Sequence, residues 1–286
     1  MERLHRQHSQ LCNEFPAPVV DTGEQRSSLM RVEKPNYGNW IRVRVILVFL
    51  VIGLILAGIA LLRIPLIPRI ILTLLAVPLL GMSLYLTYVY IQFAPWGGGF
   101  QEKLWNLVLD HLASDGQGSA LDIGTGNAAL AVRLAKRHPS LHVTGIDCWD
   151  SNWEYAQSAC ERNAHLEGVG ERITFQKASA AALPFADASF DHVVSHFVFH
   201  EVSELPDKRE VIREALRVLR EGGTFAFQDM FLDEAMYGTP DNLVATVHSW
   251  GISEVAFIGT CSELTVPRLL RSRRTLGYAS ILHGRK

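Results

Sequence analysis

Two long stretches without charge interrupt an otherwise mixed sequence. Val45 to Leu62 (VILVFLVIGLILAGIALL) is an uncharged run of 18 residues, and Ile70 to Ala94 is a second of 25. At ~1.5 Å per helical residue the first reaches ~27 Å, enough for a thin hydrocarbon core, and the second can cross with some tilt. Arg42, Arg44 and Arg63 flank the first run, and a short loop with Pro65 and Pro68 leads to the second, where Pro78 predicts a kink. Tyr37 and Trp40 precede the first run, and Tyr85, Tyr88, Tyr90 and Trp96 gather near the end of the second, positions that suit the headgroup level of a bilayer. Residues 41–94 are therefore expected to form a two-span transmembrane hairpin, in preference to a re-entrant hairpin or a pair of buried helices. Two spans return the chain to its starting side. Arg31, Lys34, Arg42, Arg44 and Lys103 near the ends outnumber Arg63 and Arg69 in the loop, so the ends are expected on the cytoplasmic side of an integral membrane protein. Residues 1–40 are polar up to Pro35 and show no apolar period, and are expected to be a mobile tail.

From Pro95 the pattern changes. After the flexible WGGGF joint, short apolar runs alternate with amphipathic ones through residues 95–286. Strands are expected at Ser119–Ile123, His142–Asp147, Arg172–Lys177, Phe190–Ser195 and Thr224–Met230, with Leu276–His283 closing the sheet. Helices are expected at Asn127–His138, stopped by Pro139, at Asn152–His165, and at Lys208–Arg220, with Gly222 and Gly223 as its C-cap pair. Such alternation predicts an α/β domain with a parallel sheet covered on both faces.

Composition adds exclusions. Charged residues make up 20% of the chain, below the ~25% usual for soluble domains, and the shortfall lies in the two runs. Net charge is −2, so no strong attraction to nucleic acid is expected. Cys12, Cys148, Cys160 and Cys261 lack paired spacing, which argues against a zinc site or disulfide framework and for a reducing compartment.

In a sheet of this kind ligands bind beyond the carboxyl ends of the strands. The first strand ends in LDIGTGNAAL, residues 121–130, where Gly124 and Gly126 permit a sharp turn and close backbone approach. Asp147 ends the second strand, where a carboxylate can accept hydrogen bonds from ribose hydroxyls. Together they describe a nucleoside-containing cofactor. Gly124, Gly126 and Ala129 also satisfy a relaxed dinucleotide pattern, which leaves a nicotinamide-dependent oxidoreductase open. Asp122 favours a cationic ligand, because an acid there would repel a pyrophosphate.

These segments, with GIDCW at 145–149, ALPFADASFDHVVS at 182–195, VFHEV at 198–202 and EALRVLREGGTFAF at 214–227, resemble the class I S-adenosylmethionine-dependent methyltransferases, especially the type 11 branch acting on small molecules and lipids. The resemblance implies a Rossmann-like, doubly wound, seven-stranded and mostly parallel sheet. It implies S-adenosyl-L-methionine as cofactor, bound by Asp122, Gly124, Thr125, Gly126, Asp147, Cys148, Ser179, Ala180 and Ser195. Ser179 stands where relatives often carry an acid for the adenine amino group, so a non-catalytic cofactor-binding membrane module is the alternative reading.

His192, His196, His200 and Glu201 have helical spacing but fall on or after a strand, so no metal is expected. His196, His200 and Glu201 are instead candidates for lining the acceptor site, with His200 the best placed base. The acceptor is expected to be a small molecule or lipid, reached through the membrane segment 45–94. Trp96–Trp105 and Phe231–Trp250 are expected to build a lid over it.

Overall fold

The structure is a computed structural model that describes residues 33–149, 156–273 and 275–286. Pro35 to Lys286 cluster as one unit. Its first elements are two antiparallel helices, α1 (Val43–Ala60) and α2 (Leu66–Phe93). α2 starts four residues before the uncharged run because Pro68 falls in its first turn, where a missing N–H leaves no intrahelical bond unmade. It continues as one helix through Pro78. The pair is in register through Ser83, whose hydroxyl donates to the Ile46 carbonyl at 3.2 Å. Gly53 permits the close approach, since a Cβ there would lie 2.8 Å from Leu80 Cδ2. The outer faces are bare: Leu47, Val48, Val51, Leu54 and Ile55 on α1 and Leu74, Leu75, Val77 and Leu84 on α2 are all exposed. Both helices are long and apolar enough to cross a membrane.

The domain that follows is α3 (Phe100–Asp110), β1 (Ser119–Ile123), α4 (Ala129–Arg137), β2 (His142–Asp147), α5 (Gln157–Leu166), β3 (Ile173–Lys177), β4 (Phe190–His196), α6 (Lys208–Arg217), β5 (Leu219–Asp229), α7 (Glu234–Tyr237), α8 (Pro240–Ser249), β6 (Glu254–Gly259), α9 (Thr260–Glu263) and β7 (Ser280–Arg285). The strands form one sheet in the order β3-β2-β1-β4-β5-β7-β6. All neighbouring pairs are parallel except those made by β7, which runs antiparallel to β5 and β6. This is the expected Rossmann-like seven-stranded fold.

Helices cover both faces. α4 buries Leu130, Ala131, Val132, Leu134 and Ala135 and places Lys136 and Arg137 in its last turn, where positive charge meets the negative helix end. It packs with α3 and α5 on one face. On the other, α6 buries Val211, Ile212, Ala215 and Leu216, and its N-cap Asp207 accepts from the Arg209 amide at 3.0 Å.

Several boundaries differ from expectation. α6 stops at Arg217, and Gly222 and Gly223 lie inside β5 instead of capping the helix. Gly222 sits at φ +75° in an irregularity where the β4–β5 register jumps, from Phe190 opposite Leu219 to His192 opposite Thr224. The last strand starts at Ser280 rather than Leu276. β6 had no counterpart in the sequence reading. The expected start of the second domain helix, at Asn152, lies outside the described residues, as does most of the 1–40 tail. The tail's described end is held: Asn36 exchanges two 2.9 Å hydrogen bonds with Asn163, and the Tyr37 hydroxyl donates to Glu167 at 3.1 Å.

Candidate active site

The β1–α4 loop is shaped by backbone conformations that suit glycine. Gly124 and Gly126 lie at φ +72° and +57°, and a Cβ on Gly124 would strike the Val198 side chain at 2.1 Å. Ala128 also lies at φ +65°, a left-handed position without glycine's freedom. Asp122 holds the loop from below. Its Oδ2 accepts from the Thr125 hydroxyl at 2.7 Å and the Ala131 N–H at 3.1 Å. Burial pushes its carboxyl up to about 7 against the pull of these two donors.

Three of the loop's N–H groups are already engaged. Gly124 and Thr125 both donate to the Ile146 carbonyl, at 2.8 and 2.9 Å, and Gly126 donates to Asp147 Oδ2 at 2.9 Å. A pyrophosphate cradle needs such donors free. Asp147 also accepts from the Trp149 N–H through Oδ1, yet each carboxylate oxygen keeps a further lone pair for a hydroxyl.

These residues line a cavity of about 830 Å³. Asp122, Gly124, Thr125, Gly126, Asp147, Cys148, Ser179 and Ala180 form one part of its wall, and His196, His200 and Glu201 another. Ser195 does not belong to it. Strand alternation turns Ser195 away from the face that carries His196, and its buried hydroxyl donates to the Ile123 carbonyl at 3.1 Å. His192 is likewise structural, with Nδ1 2.8 Å from the Thr224 hydroxyl and Nε2 3.0 Å from that of Ser114.

A carboxylate stands beside position 179. Glu204 lines the same cavity and accepts from the Ser179 hydroxyl at 2.8 Å. This hydrogen bond holds the Glu204 carboxyl below its usual range.

The two cavity histidines differ in charge. His200 sits in the 3₁₀ turn Phe199–Glu201, with Nδ1 2.7 Å from Asp229 Oδ1 and Nε2 3.3 Å from Glu201 Oε1. Burial alone would lower its pKa, but hydrogen bonds to the two carboxylates override this and lift it to about 10. At neutral pH it is an imidazolium that donates to Asp229 and forms an ion pair with Glu201. Asp229 is buried at the end of β5 and also accepts from the Phe199 and Met230 N–H groups at 2.8 and 2.6 Å. His196 is the opposite case: burial drives its pKa down to about 3, against opposing pulls from Asp229 and Gln228, so it is neutral. Its Nε2 is buried with no hydrogen-bond partner among the described residues. Around it stand Trp40, Trp105 and Phe197, with ring centroids 5.1, 6.4 and 4.9 Å away.

A third part of the wall comes from outside the α/β domain. Tyr37, Trp40, Ile41 and Arg42 line the cavity, as do Val89 and Phe93 at the end of α2. Trp40 packs against Phe93 with ring centroids 5.2 Å apart and tilted by 48°, and Asn39 Nδ2 donates to the Tyr90 carbonyl at 3.0 Å. The expected lid is corrected accordingly. Within Trp96–Trp105 only Trp105 reaches the cavity, and Trp96 is exposed. Phe231–Trp250 contributes nothing to the wall, because Phe231, Tyr237, Leu243 and Val247 are fully buried in the core.

A family described as "Methyltransferase domain" matches residues 121–227, from β1 into β5. The O-methyltransferase rstn1 of Aspergillus nomiae is 31% identical over 173 residues, which cover 54% of this chain and 73% of that protein. The chain is a class I S-adenosylmethionine-dependent methyltransferase. The methyltransferase is also 39% identical to the 27-O-demethylrifamycin SV methyltransferase of Amycolatopsis mediterranei, over 39% of this chain and 38% of that one. To the ubiquinone/menaquinone biosynthesis C-methyltransferase UbiE of Dinoroseobacter shibae it is 32% identical, over 44% of this chain and 48% of that one. It therefore spans less than half the length of these two relatives.

The cavity suits this cofactor. Asp122, Asp147, Glu201 and Glu204 outnumber Arg42 and the His200 imidazolium in the wall, which favours a sulfonium and an ammonium, and the Gly124, Thr125 and Gly126 amides point to protein acceptors instead of a pyrophosphate. Among the described residues, no three His, Cys, Asp or Glu side chains gather as a metal site.

Proposed function

We propose that this methyltransferase is anchored in a membrane by α1 and α2 and methylates a small, lipophilic acceptor that reaches the cavity from the bilayer. The observation that carries this reading is the shared wall: one cavity is bounded by the cofactor loop and by Trp40, Val89 and Phe93 at the base of the apolar hairpin. Gly124, Gly126, Asp122 and Asp147 are the proposed cofactor contacts, with Cys148, Ala180 and the Ser179–Glu204 pair around the adenine. When bound, S-adenosylmethionine supplies an electrophilic methyl on a sulfonium. The chain's part is to hold an oxygen, nitrogen or carbon of the acceptor in line with that methyl and to exclude water.

The aromatic wall of Trp40, Phe93, Trp105 and Phe197 holds the acceptor's apolar body, and neutral His196 puts one polar atom among these rings. His200, as an imidazolium, links Glu201 at the edge of the cavity to the buried Asp229 behind it. It can take a proton from an acceptor only after giving one up, so at neutral pH the half-exposed Glu201 is the carboxylate at the wall that can accept one, although its pairing with His200 holds its pKa below the usual range. The relatives' names include an O-methyltransferase and a C-methyltransferase, which supports a small-molecule acceptor and leaves its reacting atom open.

The test is to incubate the full-length protein with methyl-labelled S-adenosylmethionine and a total lipid extract. Label in an organic-soluble product is the expected result. Label only in water-soluble metabolites would overturn the lipophilic acceptor, and no transfer to any fraction would favour a module that holds the cofactor without turning it over.

A further inference from the structure

Between Leu264 and Tyr278 the sequence LTVPRLLRSRRTLGY carries four arginines and no acid. The segment joins α9 to β7 and is tightly tied. The Leu276 N–H and the Thr275 hydroxyl both donate to the Leu270 carbonyl, at 2.9 and 2.6 Å, and the Gly277 N–H donates to Ser272 at 2.9 Å. Leu270 is fully buried in a cluster with Val89 and Phe93 of α2, which fixes the loop against the hairpin. Leu269, next to it, is 59% exposed. Arg268, Arg271 and Arg273 lie within four residues of that leucine in the sequence and are exposed themselves, Arg271 with its Nε donating to the Val266 carbonyl at 2.8 Å. Arg268 makes no ion pair among the described residues, and Arg273 reaches only Asp233, at 3.9 Å, while covering the Tyr278 ring.

The height of this loop along the hairpin can be read from one hydrogen bond. The Tyr85 hydroxyl of α2 donates to the Leu269 carbonyl at 3.1 Å. α2 has 28 residues, ~42 Å, whereas a hydrocarbon core of ~30 Å takes about 20. Counted from Leu66 those 20 residues end at Tyr85, and counted from Ile70, just past Arg69, they end at Val89. Either count puts Tyr85 within about one helical turn of the hydrocarbon boundary. The bond from Ser83 to Ile46 agrees, because in an antiparallel pair it sets Arg44 level with Tyr85. An arginine and a tyrosine at one level mark a headgroup layer.

We infer that the described parts of this loop, residues 264–273 and 275–278, are a docking surface for anionic lipid headgroups, with Leu269 dipping into the acyl boundary and Arg268, Arg271 and Arg273 binding phosphates beside it. This rests on the reading that α1 and α2 cross the bilayer. The loop's other end, Thr275 and Leu276, lines the active-site cavity, so lipid held at the arginines lies beside the route to the site.

The test uses the full-length protein in nanodiscs of phosphatidylcholine alone and of phosphatidylcholine with about 30% phosphatidylglycerol, and follows amide hydrogen exchange across residues 264–278. Exchange should slow about tenfold more in the anionic discs. The difference should shrink at high salt, which screens exposed charges, and shrink at least by half in the double variant Arg268→Gln, Arg273→Gln, which leaves Arg271 in place. Equal exchange in the two discs overturns the docking surface while leaving the hairpin intact. Failure of the protein to enter discs at all would overturn the hairpin, and the docking with it.

Discussion

Asp122 shows how one buried group ties the loop's shape to the ligand's charge. Two donors hold Oδ2, and burial raises the carboxyl to about 7, so the empty site carries a proton there below that pH. A cation bound in the cavity favours the carboxylate and lowers this pKa, so binding must release the proton. The sign follows: affinity for S-adenosylmethionine should rise with pH up to about 7, by at most tenfold per unit, and then level off. His196, near 3, and His200, near 10, do not titrate in that window and cannot mimic the effect. Calorimetry between about pH 5.5 and 8, in buffers of different ionisation enthalpy, measures both the slope and the proton. Asp122→Asn should abolish the slope and bind more weakly at pH 8. A flat profile in the unaltered protein, or an unchanged slope in the variant, would refute the linkage.

At the scale of elements, Trp40 is the piece whose role changed most between sequence and structure. Its ring touches Phe93 of α2, Trp105 of α3, and His196 and Phe197 at the end of β4, which makes the segment before α1 part of the cavity wall. Trp40→Ala in the full-length protein should raise the acceptor's KM about tenfold or more and leave cofactor affinity within about twofold, at a stability loss below the ~3–5 kcal/mol of a fully buried Trp. An equal loss of cofactor affinity would show instead that Trp40 supports the whole cavity.

No local pattern could have shown this role. Trp40 was legible only as an aromatic near an apolar run, whereas its position over β4 depends on contacts such as Asn36 with Asn163, 127 residues apart. The parts that were legible obey short periods: β1 and β2 as apolar runs ending at Ile123 and Asp147, and α4 and α6 as helices with one buried stripe. β6 escaped notice because it is the sheet's edge, and none of its residues from Glu254 to Gly259 is buried. Gly222 and Gly223 looked like a helix stop because a bulge and a C-cap need the same left-handed backbone.

At the scale of the whole molecule, net charge says little and its distribution says more. The chain carries 27 basic and 29 acidic residues, yet the segments bordering the hairpin on the domain side hold Arg42, Arg44 and Lys103, and the loop packed against α2 adds its arginines. The far turn between α1 and α2 has Arg63 and Arg69 alone. By the positive-inside bias the domain should face the cytoplasm. Burial of the bare apolar faces of α1 and α2 in lipid is a hydrophobic effect, which neither carbonate nor high salt reverses. The full-length protein should therefore stay with membranes through both washes, and its release into the supernatant would show that the two helices do not insert. Protease access then reads the orientation. In sealed inside-out vesicles added protease should reach the domain, and in right-side-out vesicles the domain should survive until detergent opens the bilayer. Digestion in intact right-side-out vesicles would reverse the topology while leaving the shared wall between hairpin and cavity as it is, because that wall depends on Trp40, Val89 and Phe93 and not on which side of the membrane they occupy.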